Sequence, residues 1–364
     1  MMSDWLTAMA NGTQASVLVT VALVEGSGPR EAGAKMYVSL DGQVDTIGGG
    51  HLELRAVEIA KTMLSTTETH ARLERFALGP SLGQCCGGVV HLVFEPVDGS
   101  LKEVLASLQE RRQQDSWKVT ALDGDSVSAL FDASGQFIAG TPAGAPATFP
   151  RERARQHDTH VAQGSDGRRW LVDPCLAPRA HLTLFGAGHV GAAIVRALAH
   201  LPCTITWVDE REDMFLAALP AGVPDNLRIA ATDTPEQFVA MAPPGGSFLV
   251  MTHSHALDQR LTQAIMERED AGWFGLIGSH TKRKQFEHRL QARGVPEQRI
   301  AAMVCPIGMP GIRNKAPAVI AASVACQLLM VWEQAASAAL AAPLRFASAS
   351  APSRRPARAA IYPL

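Results

Sequence analysis

Short segments rich in apolar residues mark the first hundred residues, and the first of them, 16–24, alternates and is rich in Val. They predict five short strands, over residues 16–24, 35–40, 43–47, 70–78 and 89–95. The second and third of these strands flank Asp41-Gly42, a turn pair typical of β-hairpins. After a triple glycine, apolar side chains from Leu52 to Met63 recur at helical spacing, which predicts a helix over 51–65. We therefore expect an N-terminal mixed α/β domain in which a helix covers a small sheet.

The pattern is weaker between residues 98 and 178. It indicates a helix over 101–112, short strands and turns, and a Pro/Gly/Ala-rich stretch at 140–150. No motif stands out in this part of the chain. We assign it to the N-terminal domain, whose predicted limits are residues 1–178.

Strands and helices alternate in the second half of the chain. Apolar strands are predicted over residues 181–185, 204–208, 247–252 and 273–277. Helices are predicted to begin at His189 and Lys282. This alternation is typical of a doubly wound parallel sheet, so we predict an α/β protein with a Rossmann-type domain over 179–340.

The C-terminal part of the chain is rich in alanine. A long helix begins at Pro317, a favoured first helical position, and is predicted to end near residue 340. Its apolar run over 318–332 is interrupted by Gln327 and falls short of the roughly 20 residues that a membrane span needs. We interpret it as a buried core helix. Residues 341–364 are rich in Ala, Ser, Pro and Arg and are predicted to be a disordered tail.

The net charge and the N-terminal segment indicate which partners and which compartment to expect. The 33 basic and 35 acidic residues leave a formal net charge of -2, which gives no long-range attraction for nucleic acid or anionic lipid. Residues 1–11 lack the basic start and apolar stretch of a signal peptide. We therefore expect a cytoplasmic protein that uses neither nucleic acid nor a membrane as its main partner.

The six cysteines are too sparse for a disulfide scaffold, and only Cys85-Cys86 are adjacent. The pair lies on a glycine-lined loop over 79–88, where an accessible thiolate would be a nucleophile, a metal ligand or a sulfur carrier. Neither a CxxC pair nor an HExxH motif accompanies it, so we expect no structural metal site and assign no catalytic residue. The neighbouring loop over 47–53 offers backbone amides, an imidazole and Glu53, or is simply a tightly packed turn.

A glycine motif opens the second domain. Gly186, Gly188 and Gly191 follow an apolar strand and begin a helix, which is the setting of a dinucleotide-binding loop. Asp209 ends the next predicted strand and is placed to accept hydrogen bonds from a ribose. His189, inside the loop, is suited to hydrogen-bond a phosphate. The alternative is a Rossmann fold whose site has been vacated or put to another use.

Further polar residues are predicted at the same edge of the sheet. Ser279, Lys282 and Arg283 stand at a helix start and suit a second anionic group, the alternative being a solvated basic helix face. His253 and His255 are either an acid/base or metal-binding pair or plain polar rim residues.

Taken together, six motifs resemble the xanthine dehydrogenase accessory protein family, XdhC/CoxI, over most of the chain. They are GGGHLE at 48–53, GQCCGG at 83–88, GAGHVG at 186–191, MTHSHALD at 251–258, GLIGSHTKRK at 275–284 and CPIGMPGIRNKAPAVIA at 305–321.

The resemblance implies an accessory protein rather than an enzyme that turns over purines. Such a chaperone binds and protects the molybdenum cofactor (molybdopterin), assists its sulfuration together with a cysteine desulfurase, and inserts it into the molybdenum subunit of xanthine dehydrogenase. Cys85 and Cys86 match the family's cysteine motif and would contact the molybdenum end or its sulfur. Formation of a homodimer is left open.

Two other functions compete with this interpretation. An NAD(P)-dependent oxidoreductase would use the glycine loop and Asp209, and would need an acid/base among His253, His255 and His280. A purely structural component of a dehydrogenase complex would explain the fold but leave the cysteine pair unexplained.

Overall fold

The computed structural model describes residues 4–79, 87–145, 158–164, 167–219 and 222–341. The chain divides into two compact units, Met1–Pro178 and Arg179–Leu364. Cys85, Cys86 and the predicted tail beyond residue 341 lie outside the described residues.

The described part of the first unit is built from three helices and ten strands. The helices are α1 (Trp5–Asn11), α2 (Gly50–Ser65) and α3 (Gly99–Glu110). The strands are β1 (Ser16–Glu25), β2 (Lys35–Ser39), β3 (Gln43–Asp45), β4 (Arg72–Ala77), β5 (Val89–Pro96), β6 (Ser116–Ala121), β7 (Ser128–Asp132), β8 (Phe137–Gly140), β9 (His160–Gln163) and β10 (Arg169–Cys175).

The first sheet has the strand order β3-β2-β1-β5-β4, and its neighbours pair antiparallel. The predicted hairpin is confirmed, since β2 and β3 pair with Tyr37 opposite Val44. Helix α2 packs one apolar stripe on this sheet, with Leu52 and Met63 in the same core cluster as Val19 of β1. The 3.6-residue spacing of that stripe is what the sequence pattern shows.

Residues 98–178 form a second antiparallel sheet, with the order β8-β7-β6-β10-β9. The sequence pattern indicated only short strands there, not a complete sheet. Helix α3 contributes Leu101 and Leu105 to a cluster that includes Leu18 of the first sheet and Leu130 of the second. The two sheets of this unit are therefore joined through a shared apolar core.

Two buried ion pairs also join the two sheets. The Lys118 ammonium lies 2.6 Å from a carboxylate oxygen of Glu95, and Lys35 lies 2.9 Å from Asp173. Thr120 donates a hydrogen bond to Glu95 at 2.6 Å, and Thr159 one to Asp173 at 2.9 Å. A charge buried this deeply is tolerated only with a partner of opposite charge and further hydrogen bonds, which each carboxylate has here.

The second unit is a doubly wound α/β domain. Its strands are β11 (Ala180–Phe185), β12 (Cys203–Asp209), β13 (Leu227–Ala231), β14 (Ser247–Val250) and β15 (Trp273–Leu276). Its helices are α4 (His189–Leu198), α5 (Asp213–Ala218), α6 (Glu236–Met241), α7 (His255–Glu267), α8 (His280–Ala292), α9 (Glu297–Ala302) and α10 (Pro317–Ala341). All strand pairs are parallel and the order is β13-β12-β11-β14-β15. The predicted Rossmann-type sheet is confirmed.

Two apolar clusters cover the two faces of this sheet. One contains Ile194 of α4 and Leu328 of α10, and the other contains Leu261 of α7 and Phe286 of α8. Because the strand order reverses between β11 and β14, the carboxyl ends of those two strands flank the usual ligand crevice of such a sheet.

Helix α10 begins at Pro317, as predicted, and is 25 residues long. Its segment Pro317–Ala338 is long and apolar enough to cross a membrane by length and composition, a test that core helices also pass. Ala321, Val324 and Leu328 are buried and belong to the same cluster as α4. The first half of α10 therefore buries one face in the core, but Ala322, Cys326 and Met330 are exposed, so the helix as a whole is not buried, contrary to the prediction from the sequence.

Candidate functional site

The glycine loop between β11 and α4 has three distinct glycine positions. Gly186 has a φ of +119°, and a Cβ there would collide with the carbonyl oxygen of Met251. A Cβ on Gly191 would collide with the carbonyl oxygen of Gly186, so this glycine allows α4 to pack closely on the loop. A Cβ on Gly188 would meet nothing within 4 Å. These are the turn, close-packing and ligand-approach positions of a dinucleotide-binding loop.

The start of α4 is open toward solvent. Gly188 is the N-cap residue and provides no side-chain cap, and His189, the first helical residue, is exposed. The first amides of a helix are donors without intrahelical partners, and the helix dipole favours an anion at this end. The arrangement can accept a phosphate, which is the chemistry that the sequence predicted for Gly186, Gly188, His189 and Gly191.

Asp209, at the end of β12, is placed beside this loop but is engaged within the protein. Its carboxylate accepts a hydrogen bond from the amide of Ala187 at 2.6 Å, and it forms an ion pair with Arg211 at 2.9 Å. Burial acts to raise the pKa of Asp209, but the hydrogen bonds from Arg211 and Ala187 outweigh it and lower the pKa. The carboxylate is therefore charged at neutral pH and already paired.

A small pocket lies along the same edge of the sheet. It is lined by Asp209 and Glu210 from the end of β12, by Thr252 and His253 from the end of β14, and by the apolar Val208 and Leu257. The structure thus brings Asp209 and His253 together, as the topology predicted. The free space in this pocket is about that of one water molecule, so the pocket alone does not hold a cofactor.

Lys282 and Asp258 form an ion pair beyond this pocket. The Lys282 ammonium lies 2.5 Å from Asp258 and donates to the carbonyl of Ile277 at 2.9 Å. Asp258 also accepts hydrogen bonds from the amide and the hydroxyl of Thr252, at 3.0 and 2.7 Å. Asp258 has only 2% of its side chain exposed, and no role was predicted for it. Lys282 therefore has an internal role that the sequence pattern did not indicate.

Ser279 and Arg283 are also occupied locally. Ser279 is the N-cap of α8 and its hydroxyl accepts from the amide of Lys282 at 3.3 Å. Arg283 pairs with Glu287 at 2.6 Å and donates to the carbonyl of Cys305 at 3.2 Å. Binding of an anion at Ser279, Lys282 and Arg283 stays a prediction, and it would compete with these bonds.

The triple-glycine loop of the first unit is filled by its own carboxylate. Glu53, in the first turn of α2, accepts hydrogen bonds from the amides of Ile47 and Gly49, both at 3.1 Å, and from the side chains of Thr46 and Gln43. Burial acts to raise the pKa of Glu53, but these hydrogen bonds outweigh it and lower the pKa. The tight-turn interpretation of Glu53 is thereby favoured over a free acid.

The segment Gly26–Arg30, which carries no predicted site residue, contacts two glycine loops. A Cβ on Gly88, just after the cysteine pair, would collide with the carbonyl oxygen of Ser27. A Cβ on Gly48 would lie 2.5 Å from the Cβ of Pro29. Leu78 donates to the carbonyl of Gly88 at 2.8 Å and closes the base of the cysteine loop. The base of that loop and the triple-glycine loop are therefore packed on one short segment.

Three of the described cysteines are unreactive by their environment. Burial raises the pKa of Cys175 to about 12, that of Cys203 to about 11, and that of Cys305 in the same direction. Thiols with raised pKa values are poor nucleophiles and poor metal ligands at neutral pH. Cys305 is thus a core thiol, whereas Cys326 on α10 is exposed. Across the described ranges, no three His, Cys, Asp or Glu side chains are grouped to hold a metal ion.

Two family models match the chain. The model described as the XdhC Rossmann domain matches residues 182–328, and the model described as the XdhC and CoxI family matches residues 9–77. Together they cover more than half of the chain. The first range contains the glycine loop and the Lys282 region, the second contains the triple-glycine loop, and neither contains Cys85 or Cys86.

Two individual relatives match at low sequence identity. An uncharacterised protein of Escherichia coli strain K12, YqeB, is 31% identical over 195 residues, which are 52% of this chain and 34% of that protein. The chain thus spans about a third of the length of that relative. A protein of Bacillus subtilis strain 168, named as a probable xanthine dehydrogenase subunit, is 22% identical over 338 residues, covering 91% of this chain and 97% of the relative.

A solved structure shares the fold. The crystal structure of a xanthine dehydrogenase from Bacillus halodurans matches with a TM-score of 0.70 and 24% identity, over 90% of this chain and 95% of that one. The resemblance stated from the six sequence motifs is confirmed by the two family models. The chain belongs to the XdhC and CoxI family.

Proposed function

We propose that this protein is a xanthine dehydrogenase accessory protein that binds the molybdenum cofactor in the cytoplasm and delivers it to the molybdenum subunit of the enzyme. Family membership supports the coarse role, and the relative from Bacillus subtilis bears the name of a xanthine dehydrogenase subunit. The observation that carries the binding step is the open position at Gly188, where a ligand can approach the first amides of α4.

The described residues fit a ligand that carries a phosphate. Gly188 leaves space at the helix N-terminus, His189 is exposed beside it, and the pocket between Asp209 and His253 continues the crevice. In this proposal the first amides of α4 and the imidazole of His189 bind the phosphate of the pterin. When bound, the cofactor supplies the molybdenum and dithiolene chemistry that the client enzyme needs.

Cys85 and Cys86 are proposed to contact the molybdenum end of the cofactor or the sulfur delivered by a cysteine desulfurase. The raised pKa values of Cys175, Cys203 and Cys305 support this assignment indirectly, because they remove three of the other four cysteines as candidates. The involvement of a cysteine desulfurase follows from the family resemblance.

An anaerobic titration with molybdenum cofactor, followed by the absorbance of the pterin, tests the proposal. We expect stoichiometric binding by the wild type and weaker binding, or less transferable sulfur, in the Cys85→Ala/Cys86→Ala double variant. Cys326→Ala is the matched control, because Cys326 is an exposed cysteine outside the six motifs. Equal binding and sulfuration in the wild type and the double variant would remove the role of the pair, and absence of binding by the wild type would remove the function.

The second candidate, an NAD(P)-dependent oxidoreductase, is favoured by the three glycine positions of the loop. It is weakened by Asp209, whose carboxylate is taken up by Arg211 and Ala187. Parallel titrations with NAD and NADP separate the two functions. Nicotinamide binding without pterin binding would establish the second.

A further inference from the structure

The ribose-binding position of this Rossmann crevice is occupied by the protein itself. One oxygen of the Asp209 carboxylate accepts from the amide of Arg211 at 3.0 Å and from its Nε at 2.9 Å. The other accepts from the amide of Ala187 at 2.6 Å and from Nη2 of Arg211 at 3.0 Å. A carboxylate has about four acceptor positions, so all of them are used.

In Rossmann folds the acidic residue at the end of the second strand accepts hydrogen bonds from the ribose hydroxyls of NAD. Asp209 stands at that position, at the end of β12, but its side chain is only 3% exposed. A ribose diol would have to displace the two hydrogen bonds from the Arg211 guanidinium, which are charge-assisted and arranged as a fork. We propose that Arg211 is a specificity-determining residue that closes the crevice to nucleotides whose ribose diol must bind to Asp209.

The charges around Arg211 extend this exclusion to NADP. Glu210, Glu212 and Asp213 surround Arg211 in the sequence, and Arg211 is held by Asp209. The carboxylate of Asp209 is already paired with Arg211, and Glu210 lines the same pocket, so a ribose phosphate beside Arg211 would meet two carboxylates. The ribose of either nicotinamide dinucleotide would therefore compete with an internal contact of Asp209, while Gly188 at the start of α4 stays open to a phosphate.

The ligand class that remains is a phosphate-bearing molecule that needs nothing from Asp209. The identification of this molecule as a pterin phosphate rests on the proposed function. The exclusion of ribose does not rest on it, because it follows from the contacts of Asp209 and Arg211 alone.

Isothermal titration of the full chain with NAD tests the inference without any molybdenum cofactor. We expect weak or undetectable binding by the wild type and at least about tenfold tighter binding by Arg211→Ala, since a tenfold change corresponds to the loss of one modest competing interaction. Arg211→Gln, which cannot form the charged fork, should change the affinity in the same direction. NADP should bind both variants more weakly than NAD does.

Two further variants identify the cause. Adding Asp209→Ala to Arg211→Ala should abolish the gain, because the exposed acceptor is then lost. Arg260→Ala, which breaks a surface ion pair with Glu236 on the same unit, should bind NAD as the wild type does. Equal affinity for NAD in the wild type and in both Arg211 variants, including no binding by any of them, would overturn the proposal. Folding of each variant is checked by circular dichroism, and failure of pterin binding would leave this result unaffected.

Discussion

Two helices of this protein begin at a glycine-rich loop, and the loops serve opposite purposes. Before α2, the amides of Ile47 and Gly49 donate to Glu53, a carboxylate supplied by the helix itself. Before α4, Gly188 provides no cap and leaves open space in front of the helix. The two loops are alike in sequence, but one is closed by an internal anion and the other is available to an external one.

The comparison teaches that glycine content alone does not identify a binding loop. Amide donors at a helix start require an acceptor, and a nearby acidic side chain meets that need as well as a ligand does. At α4 the nearest acid, Asp209, instead takes the amide of Ala187 and the side chain of Arg211. The first amides of α4 are therefore left to water or to an anion from outside the protein.

Among changes in the two loops, we expect Gly191→Ala to lower the free energy of unfolding the most. Alanine normally stabilises a helix relative to glycine, but here the added methyl group would collide with the backbone carbonyl of Gly186. We expect a loss of about 1–3 kcal/mol in the free energy of unfolding, measured by urea denaturation followed by circular dichroism. Gly188→Ala is the matched control, with an expected change within about 0.5 kcal/mol because no atom lies near its added Cβ. Similar losses in both variants would contradict the assigned roles.

Glu53→Ala should have the next largest effect. The change removes the acceptor for the amides of Ile47 and Gly49, and Ile47 is fully buried. We expect a loss of about 1–3 kcal/mol in the free energy of unfolding, since unpaired buried donors are costly. Glu58→Ala on the same helix breaks only an exposed pair with Arg55 and should cost at most about 0.5 kcal/mol. If the two variants were equally stable, Glu53 would not be the internal anion of this loop.

The smallest expected effect is the pH dependence of stability that is caused by the titration of Glu53. Its pKa is lowered in the folded protein, so its contribution to stability is present above the ordinary glutamate pKa of 4.5 and is lost as the pH falls through the lower folded value. The stability difference between the wild type and Glu53→Gln should therefore shrink as the pH is lowered from 6 to about 3. Denaturation midpoints measured in parallel for the two proteins check this. A difference that grew toward acid pH would require a raised pKa for Glu53 instead.

The sequence predicted the fold most accurately where a local pattern has a single structural explanation. The glycines at 186, 188 and 191 and the alternation of apolar strands with helices were sufficient to indicate the Rossmann sheet. The internal contacts of Asp209 and Lys282 were not predicted. The structure pairs these side chains with Arg211 and Asp258, and their binding of a ligand stays a prediction.

The residues that the sequence did not identify are those that form buried ion pairs with partners far away in the sequence. Lys118 and Glu95 are 23 positions apart, and Lys35 and Asp173 are 138 apart, so no local pattern marks them as buried pairs. The second sheet of the first unit was missed for the same reason, because its order β8-β7-β6-β10-β9 joins short strands across irregular connections.

The sequence by itself determined the class of each half, the α4 glycine loop and the family resemblance, because periodicity and glycine spacing act over a few residues. Only the tertiary structure decided which charges are used inside the protein. Whether Asp209, Glu53 or Lys282 meets a ligand or a neighbour depends on side chains that folding brings within hydrogen-bonding distance, and a linear pattern contains no information on those distances. The open space at Gly188 was likewise decided by packing, because the same residue type is enclosed at Gly186 and Gly191.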